Sequence, residues 1–191
     1  MNHLNDLSND IERILVPAEE IDSIVRRIAA EIDRDYAYID GRQNHLLLLG
    51  VLKGSVVFMG DLMKHITTPA EIDFMKVSSY GQAAKSGGSV NIILDLYRSD
   101  LPETDILIVE DIIDSGRTLA YLADYLMLKG ARSVKSVALL DKPDRREADF
   151  EPDYKGKIIP DEFVVGYGLD YAEKYRTLPY IGVLKRDIYE K

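Results

Sequence analysis

The sequence lacks cysteine and tryptophan, and it lacks any long hydrophobic run. The absence of cysteine excludes disulfides, zinc knuckles, iron–sulfur ligation and thiol catalysis. The longest strongly apolar run covers only residues 46–52, whereas a membrane-spanning helix needs about 20 apolar residues. The first residues of the sequence contain no basic region followed by an apolar run, so they show no sign of a signal peptide. We therefore expect a cytoplasmic protein with no membrane partner.

Positive charge is also scarce, because 33 Asp and Glu residues outnumber 24 Lys and Arg residues and give a formal net charge of −9. This balance disfavours broad binding to nucleic acids or anionic lipids, since both attract a positive surface. The remaining composition, 46 % hydrophobic and 30 % charged over 191 residues, is that of one folded domain with a substantial core.

Apolar strands alternate with amphipathic helices through the middle of the chain. The hydrophobic spacing predicts strands at residues 46–52, 72–77, 90–94, 106–109 and 134–140. It predicts one helix that begins at Pro17 and two further helices that cover residues 55–66 and 119–128. Such alternation predicts an α/β fold with a mainly parallel sheet flanked by helices, and a core of roughly residues 17–141.

The two ends of the chain differ from this core. Residues 142–191 contain short apolar segments at 163–165 and 180–184, separated by turn residues. They predict a small hood subdomain that also includes the N-terminal segment, within a single domain of residues 1–191. Residues 10–15 have a mixed pattern that supports no assignment. The polar, glycine-bearing residues 78–89 predict a mobile loop.

The segment ILIVEDIIDSGRT, residues 106–118, carries the chemical information. An apolar strand leads into three carboxylates and a short glycine-bearing loop before a helix: Glu110, Asp111, Asp114, Ser115, Gly116, Arg117 and Thr118. A loop of this kind at a helix N-terminus can hold a phosphate. Carboxylates beside it can accept hydrogen bonds from a sugar and hold Mg²⁺. An acidic pair alone is more typical of a solvated loop, but the whole string predicts a site for a phosphorylated sugar with Mg²⁺.

Other chemical motifs are absent from the sequence. It contains no G-x-x-x-x-G-K-[ST], no H-E-x-x-H and no G-x-S-x-G, and its Gly166-Tyr167-Gly168 is not completed as a dinucleotide fingerprint.

The string around Glu110 resembles the 5-phosphoribosyl-1-diphosphate (PRPP) motif of the type I phosphoribosyltransferases. Four further segments match the hypoxanthine-guanine branch of that family in order: GVLKGS (50–55), SSYG (78–81), LLDKPDRR (139–146) and FVVGYGLDYAEKYR (163–176). The resemblance implies the type I phosphoribosyltransferase fold with a hood. It also implies a Mg²⁺-dependent purine salvage enzyme that transfers the phosphoribosyl group to hypoxanthine or guanine.

The resemblance also implies roles on the PRPP side. Glu110 and Asp111 would hold the ribose hydroxyls and, with Asp170, Mg²⁺. The loop Ser115, Gly116, Arg117 and Thr118 would bind the 5′-phosphate. Lys53, Gly54 and Arg176 would meet the pyrophosphate, with a cis peptide before Lys53. A lid would contain Ser79 and Tyr80.

On the purine side, the family pattern implies that Lys142 donates to the 6-oxo group, that Phe163 stacks on the base and that Val164 contacts its edge. Asp170 would lie near the same pocket, and Asp114 would accept a proton from the purine. Relatives form dimers or tetramers, so the resemblance implies a homodimer or homotetramer.

Three alternatives remain at this stage. The chain could use another base, and xanthine shares the 6-oxo group. It could be a PRPP-binding regulator that contacts nucleic acid, which the charge of −9 disfavours. Phe163, Val164 and Lys142 could also be ordinary strand and surface residues of an α/β protein without a site.

Overall fold

The computed structural model describes residues 7–37, 45–79 and 90–190, with the side chain of Ser79 excepted. Four α-helices are present in this part of the chain: α1 (Ala18–Asp35), α2 (Val56–His65), α3 (Arg117–Leu128) and α4 (Arg186–Tyr189). The strands are β1 (Ile11–Val16), β2 (His45–Val51), β3 (Ala70–Ser79), β4 (Val90–Leu94), β5 (Thr104–Ile113), β6 (Ser133–Asp141), β7 (Tyr154–Ile158), β8 (Val164–Val165) and β9 (Ile181–Leu184).

A six-stranded sheet forms the centre of the molecule, in the order β4-β3-β2-β5-β6-β7. Its strands are parallel except at the β3–β4 pair. Strand β2 is apolar throughout its middle because it is buried on both faces. The predicted mainly parallel sheet is confirmed.

The helices cover both faces of this sheet, as predicted. Leu46 and Leu48 of β2 belong to the core cluster that contains α1 and α2. Leu47 and Leu49 belong to the cluster that contains α3. Successive strand residues point to opposite faces, so one apolar run supplies both cores.

A smaller antiparallel sheet, β1-β9-β8, forms the hood. Strands β8 and β9 fall on the two predicted tail segments, and β1 arises from the residues that supported no assignment. Residues 142–191 also supply β7, which pairs with β6 in the large sheet, so residue 142 does not separate the two sheets.

Two predicted boundaries also shift. Pro17 has an extended backbone and is the N-cap residue of α1, so the helix itself begins at Ala18. Strand β5 covers ten residues rather than four, because its pairing with β6 continues to the Ile113–Asp141 pair. Within the described ranges, no helix is long and apolar enough to cross a membrane.

Candidate active site

The predicted phosphate loop lies at the carboxyl end of β5, where ligands bind in open α/β sheets. Glu110 and Asp111 lie inside the strand, and Asp114 follows its last residue. Gly116 has φ 75° and directly precedes α3, a conformation that glycine adopts without penalty. The Ser115 hydroxyl accepts a hydrogen bond from the Arg117 amide at 3.4 Å. The structure therefore places the predicted loop and the acidic pair side by side.

The acidic pair is held in a low-dielectric position. Burial, followed by the charge of Asp111, raises the pKa of Glu110 well above its usual range. Burial is also the main cause that raises the pKa of Asp111 to about 6, and the charge of Asp170 adds to it. One carboxylate oxygen of Glu110, Oε2, is buried with no hydrogen-bond partner. Such groups are available to a ligand that brings hydroxyl donors or a cation.

Gly54 is required beside this pair. A Cβ atom at Gly54 would lie 1.7 Å from the Asp111 carboxylate oxygen Oδ2. The loop after β2 can therefore pass over Asp111 only with glycine at this position. The preceding peptide, Leu52–Lys53, is cis, as the resemblance implies.

Lys53 and Arg176, the two cations expected near the pyrophosphate, face the hood segment that contains Asp170 and Glu173. Lys53 Nζ lies 3.0 Å from Glu173 Oε1. Arg176 Nη2 lies 2.8 Å from Asp170 Oδ1 and 3.3 Å from Glu173 Oε2. Arg176 Nη1 donates to the Gly168 carbonyl at 2.7 Å. Lys53 and Arg176 are thus brought together across one exposed carboxylate, that of Glu173.

A cavity of about 500 Å³ opens beside the loop, and its lining includes Asp114, Lys142, Phe163, Val164 and Asp170. The Lys142 ammonium donates to the Glu162 carbonyl at 2.7 Å and lies 3.7 Å from Asp114 Oδ1. Lys142 is buried, so it is not an ordinary surface lysine, as it would be in an α/β protein without a site. All five residues that the resemblance assigns to the purine side, including Asp114, line this one cavity.

Comparison with known proteins identifies the family. The phosphoribosyl transferase domain model matches residues 15–172. A hypoxanthine-guanine phosphoribosyltransferase of Bacillus subtilis is 52 % identical over 96 % of this chain and 99 % of that protein. The crystal structure of a hypoxanthine phosphoribosyltransferase from Staphylococcus aureus superposes with a TM-score of 0.90, at 46 % identity, over 98 % of this chain and 100 % of that one. This chain belongs to the hypoxanthine-guanine phosphoribosyltransferase family.

A further relative shows that this family fold also occurs within a longer protein. The bifunctional protein TilS/HprT of Listeria monocytogenes is 50 % identical over 97 % of this chain, which spans 28 % of the Listeria protein's length.

The residues that the family resemblance assigns to Mg²⁺ do not form a closed cage. Among the residues that the structure describes, no group of three or more His, Cys, Asp or Glu side chains could hold a metal ion. Asp170 pairs with Arg176 rather than with Glu110. Mg²⁺ usually keeps several waters and binds one or two carboxylates plus substrate phosphates. The unpartnered Glu110 oxygen and the adjacent Asp111 fit that mode of binding.

Of the predicted lid, Tyr80 lies outside the described residues, and only the backbone of Ser79 is described, at the end of β3.

Sequence reasoning within the family pattern missed one residue that braces the phosphate loop. Arg146 donates to the Asp114 carbonyl at 3.0 Å and pairs with the buried Asp141 carboxylate. The Arg146 side chain also packs against Gly116, because a Cβ atom built at Gly116 would lie 2.9 Å from Arg146 Cδ. Only its position in the segment LLDKPDRR could have pointed to it.

Tyr189 was also missed. It lines the purine cavity from α4, and no motif in the sequence indicates this placement.

Proposed function

We propose that this protein catalyses the Mg²⁺-dependent transfer of the 5-phosphoribosyl group from PRPP to N9 of hypoxanthine or guanine. The products are IMP or GMP and pyrophosphate. The observation that carries the proposal is a single cavity in which the Lys142 ammonium and the Asp114 carboxylate stand next to the phosphate loop.

Lys142 would select the base. An ammonium has three donors and no acceptor, and one of its donors is used by the Glu162 carbonyl. The others can serve a 6-oxo group, whereas the 6-amino group of adenine would bring a donor against a donor. Phe163 would stack on the base, Val164 would contact its edge, and Asp170 would lie near the purine side of the site.

The β5–α3 loop would bind the sugar phosphate. Ser115, Gly116, Arg117 and Thr118 would hold the 5′-phosphate at the start of α3, where free amides and the helix dipole favour an anion. Glu110 and Asp111 would accept hydrogen bonds from the ribose hydroxyls. Lys53 and Arg176 would bind the pyrophosphate in place of the Glu173 carboxylate that they face.

The reaction breaks the bond between C1′ and the pyrophosphate oxygen, and the electron pair leaves with pyrophosphate. The purine N9 lone pair forms the new bond to C1′, which carries positive charge in the transition state, as in other glycosyl transfers. Asp114 would accept the proton that the base loses at N7, provided that it comes within about 3 Å. Mg²⁺, held through Glu110, Asp111 and Asp170 or their waters, would supply charge neutralisation for the leaving pyrophosphate.

The remaining parts of the proposal concern the surroundings of the site. Ser79 and Tyr80 would belong to a lid that keeps water from the activated sugar. We also propose a cytoplasmic homodimer or homotetramer that acts on small molecules and binds no nucleic acid. In this proposal the chain is one domain. Its core is formed by roughly residues 17–141 together with β7, and its hood mainly by the other residues of 142–191 with the N-terminal segment.

The test is a product assay with PRPP and Mg²⁺, with guanine, hypoxanthine, xanthine and adenine supplied separately. We expect nucleotide from guanine or hypoxanthine and little from adenine. Product from adenine alone would leave the PRPP site standing and refute the role of Lys142. Binding of PRPP without product from any base would favour the regulator instead.

A further inference from the structure

Phe163, the ring expected to stack on the purine, is itself stacked on Tyr189. The two ring centroids are 4.7 Å apart and the planes differ by 22°. Tyr171 meets the same Phe163 ring edge-on, at 5.6 Å and 89°. At 4.7 Å no base fits between Phe163 and Tyr189, because two stacked ring pairs would need about twice a ring thickness of roughly 3.5 Å.

One face of Phe163 is left uncovered by these two tyrosines. The three centroid distances in the cluster, including 6.5 Å between Tyr171 and Tyr189, put the two tyrosines in nearly perpendicular directions from Phe163. Tyr189 thus covers one face of the ring and Tyr171 stands at its edge. Phe163 remains 37 % exposed and lines the cavity with Lys142 and Asp114.

Tyr189 is held in place by contacts of α4 with the hood. The Lys185 amide, at the start of this helix, donates to the Asp10 carbonyl at 3.0 Å, and Lys185 Nζ donates to the Asn9 carbonyl at 2.6 Å. Ile188 and Tyr189 pack against the small core that contains Val165 and Leu184. Both ends of the described chain therefore meet behind the Phe163 ring.

We propose that Tyr189 is a positioning residue for the purine: it backs the buried face of Phe163, so that the opposite face is presented to the base. This inference rests on the proposed function, since it assigns Tyr189 a part in base recognition. The Tyr189 ring restricts Phe163 to one orientation before the base arrives, and this lowers the ordering required on binding.

The test compares Tyr189→Ala with Tyr189→Phe in steady-state kinetics. Aromatic pairing of this kind corresponds to about two- to tenfold in a binding constant. We expect Tyr189→Ala to raise the KM for guanine and hypoxanthine by that factor, while kcat and the KM for PRPP stay within about twofold. Tyr189→Phe keeps the ring and should restore the wild-type KM. Tyr97→Ala is the matched control, because Tyr97 is 87 % exposed and outside the cavity lining.

A fall in the KM for the base in Tyr189→Ala would overturn the inference, since it would mean that the Tyr189 ring occupies the place of the base. An unchanged KM would overturn it as well. If the alanine variant does not fold, Tyr189→Leu keeps apolar volume without the ring and gives the same comparison. The wild-type assay separates the two proposals: absence of transfer to any 6-oxopurine refutes the proposed function, whereas active wild-type protein with an unaltered variant refutes only the role of Tyr189.

Discussion

The two halves of the candidate site are built in different ways. The part of the site assigned to the ribose and the 5′-phosphate, which we call the phosphate half, comes from one continuous segment, residues 110–118. The strand residues of this segment pair with β6 in the large sheet. The amides of Glu147 and Ala148 both donate to the Ser115 carbonyl, at 3.0 and 2.9 Å.

The purine half is assembled from residues far apart in the chain. Lys142 follows β6, Phe163 precedes β8, and Tyr189 ends α4. Aromatic contacts and the meeting of the chain ends position Phe163 and Tyr189, whereas hydrogen bonds to the Ile113 and Glu162 carbonyls position Lys142. We therefore expect substitutions in the phosphate half to affect turnover and folding, and substitutions in the purine half to affect the choice and affinity of the base.

The largest effect expected is on turnover, where the two halves meet. Asp114→Asn replaces an oxygen that can accept a proton with an amide that cannot. A positioned general base contributes about 10²–10⁴-fold, so kcat should fall at least about 100-fold while the dissociation constant for PRPP changes by less than about threefold. Asp124→Asn, the same change on the exposed side of α3, is the control for stopped-flow or steady-state assays. Normal turnover in Asp114→Asn would remove the assigned role.

The next largest effect is on folding of the phosphate half. Arg146→Leu leaves the buried Asp141 carboxylate without its cation, and breaking a buried pair in this way costs about 3–5 kcal/mol. We expect a loss of that size in the free energy of unfolding by urea. Arg145→Leu removes the neighbouring arginine, whose pair with Asp161 at 3.2 Å is exposed. That loss should stay below about 1 kcal/mol. Equal losses in the two variants would contradict the brace assigned to Arg146.

The same difference between the halves explains what the sequence could predict. Hydrophobic spacing located β2, α2 and α3 because each element carries its period within a few residues. The phosphate loop was predictable because its carboxylates, glycine and hydroxyls are consecutive. The extent of β5 was not, since the strand includes Glu110 and Asp111 only through pairing with β6.

The contacts that the sequence could not predict are long-range. Strand β7 lacks a distinctive apolar pattern and becomes a strand by pairing with the edge of β6. Arg146 and Tyr189 act through partners that the fold brings to them, Asp141 and Phe163. Neither residue has a spacing that distinguishes it from a surface arginine or tyrosine. Lys142 and Phe163 entered the prediction through the family resemblance alone.

A smaller effect, confined to the purine half, tests the choice of base. Lys142→Met removes the donors that face the 6-oxo group. A hydrogen bond to a charged group is worth about 1.5–3 kcal/mol, so kcat/KM for guanine should fall about 10- to 100-fold, and the discrimination against adenine should shrink. The KM for PRPP should not change. Lys64→Met, on the exposed surface of α2, controls for loss of charge; a loss of PRPP affinity in Lys142→Met would mean that the halves are not separable.

The smallest effect has the opposite sign and concerns stability of the phosphate half without ligands. Burial raises the pKa of Asp111 from 3.8 to about 6, so the folded state holds more protons than the unfolded state between about pH 4 and 6. Stability then falls as the pH rises through that window, by about 3 kcal/mol at most. Asp111→Asn removes this pH-dependent loss of stability. It keeps a side-chain oxygen that can accept the hydrogen bond from the Ile112 amide, as Asp111 Oδ1 does at 2.9 Å.

The asparagine variant should therefore be more stable than wild type by about 1–3 kcal/mol at pH 7.5. Most of that gain should be lost at pH 4, where the folded wild type holds the proton and the unfolded state, with a pKa of 3.8, has lost it only in part. Urea unfolding at the two pH values measures both numbers. Asp105→Asn is the contrasting control, because desolvation of its carboxylate is outweighed by Arg132 and Ser133, which lower its pKa. Removing that charge should destabilise the protein at pH 7.5. An Asp111→Asn variant that is less stable at pH 7.5, or whose gain is undiminished at pH 4, would show that the buried acidic pair is satisfied within the ligand-free protein. The case for a sugar or cation at this position would then lose its electrostatic basis.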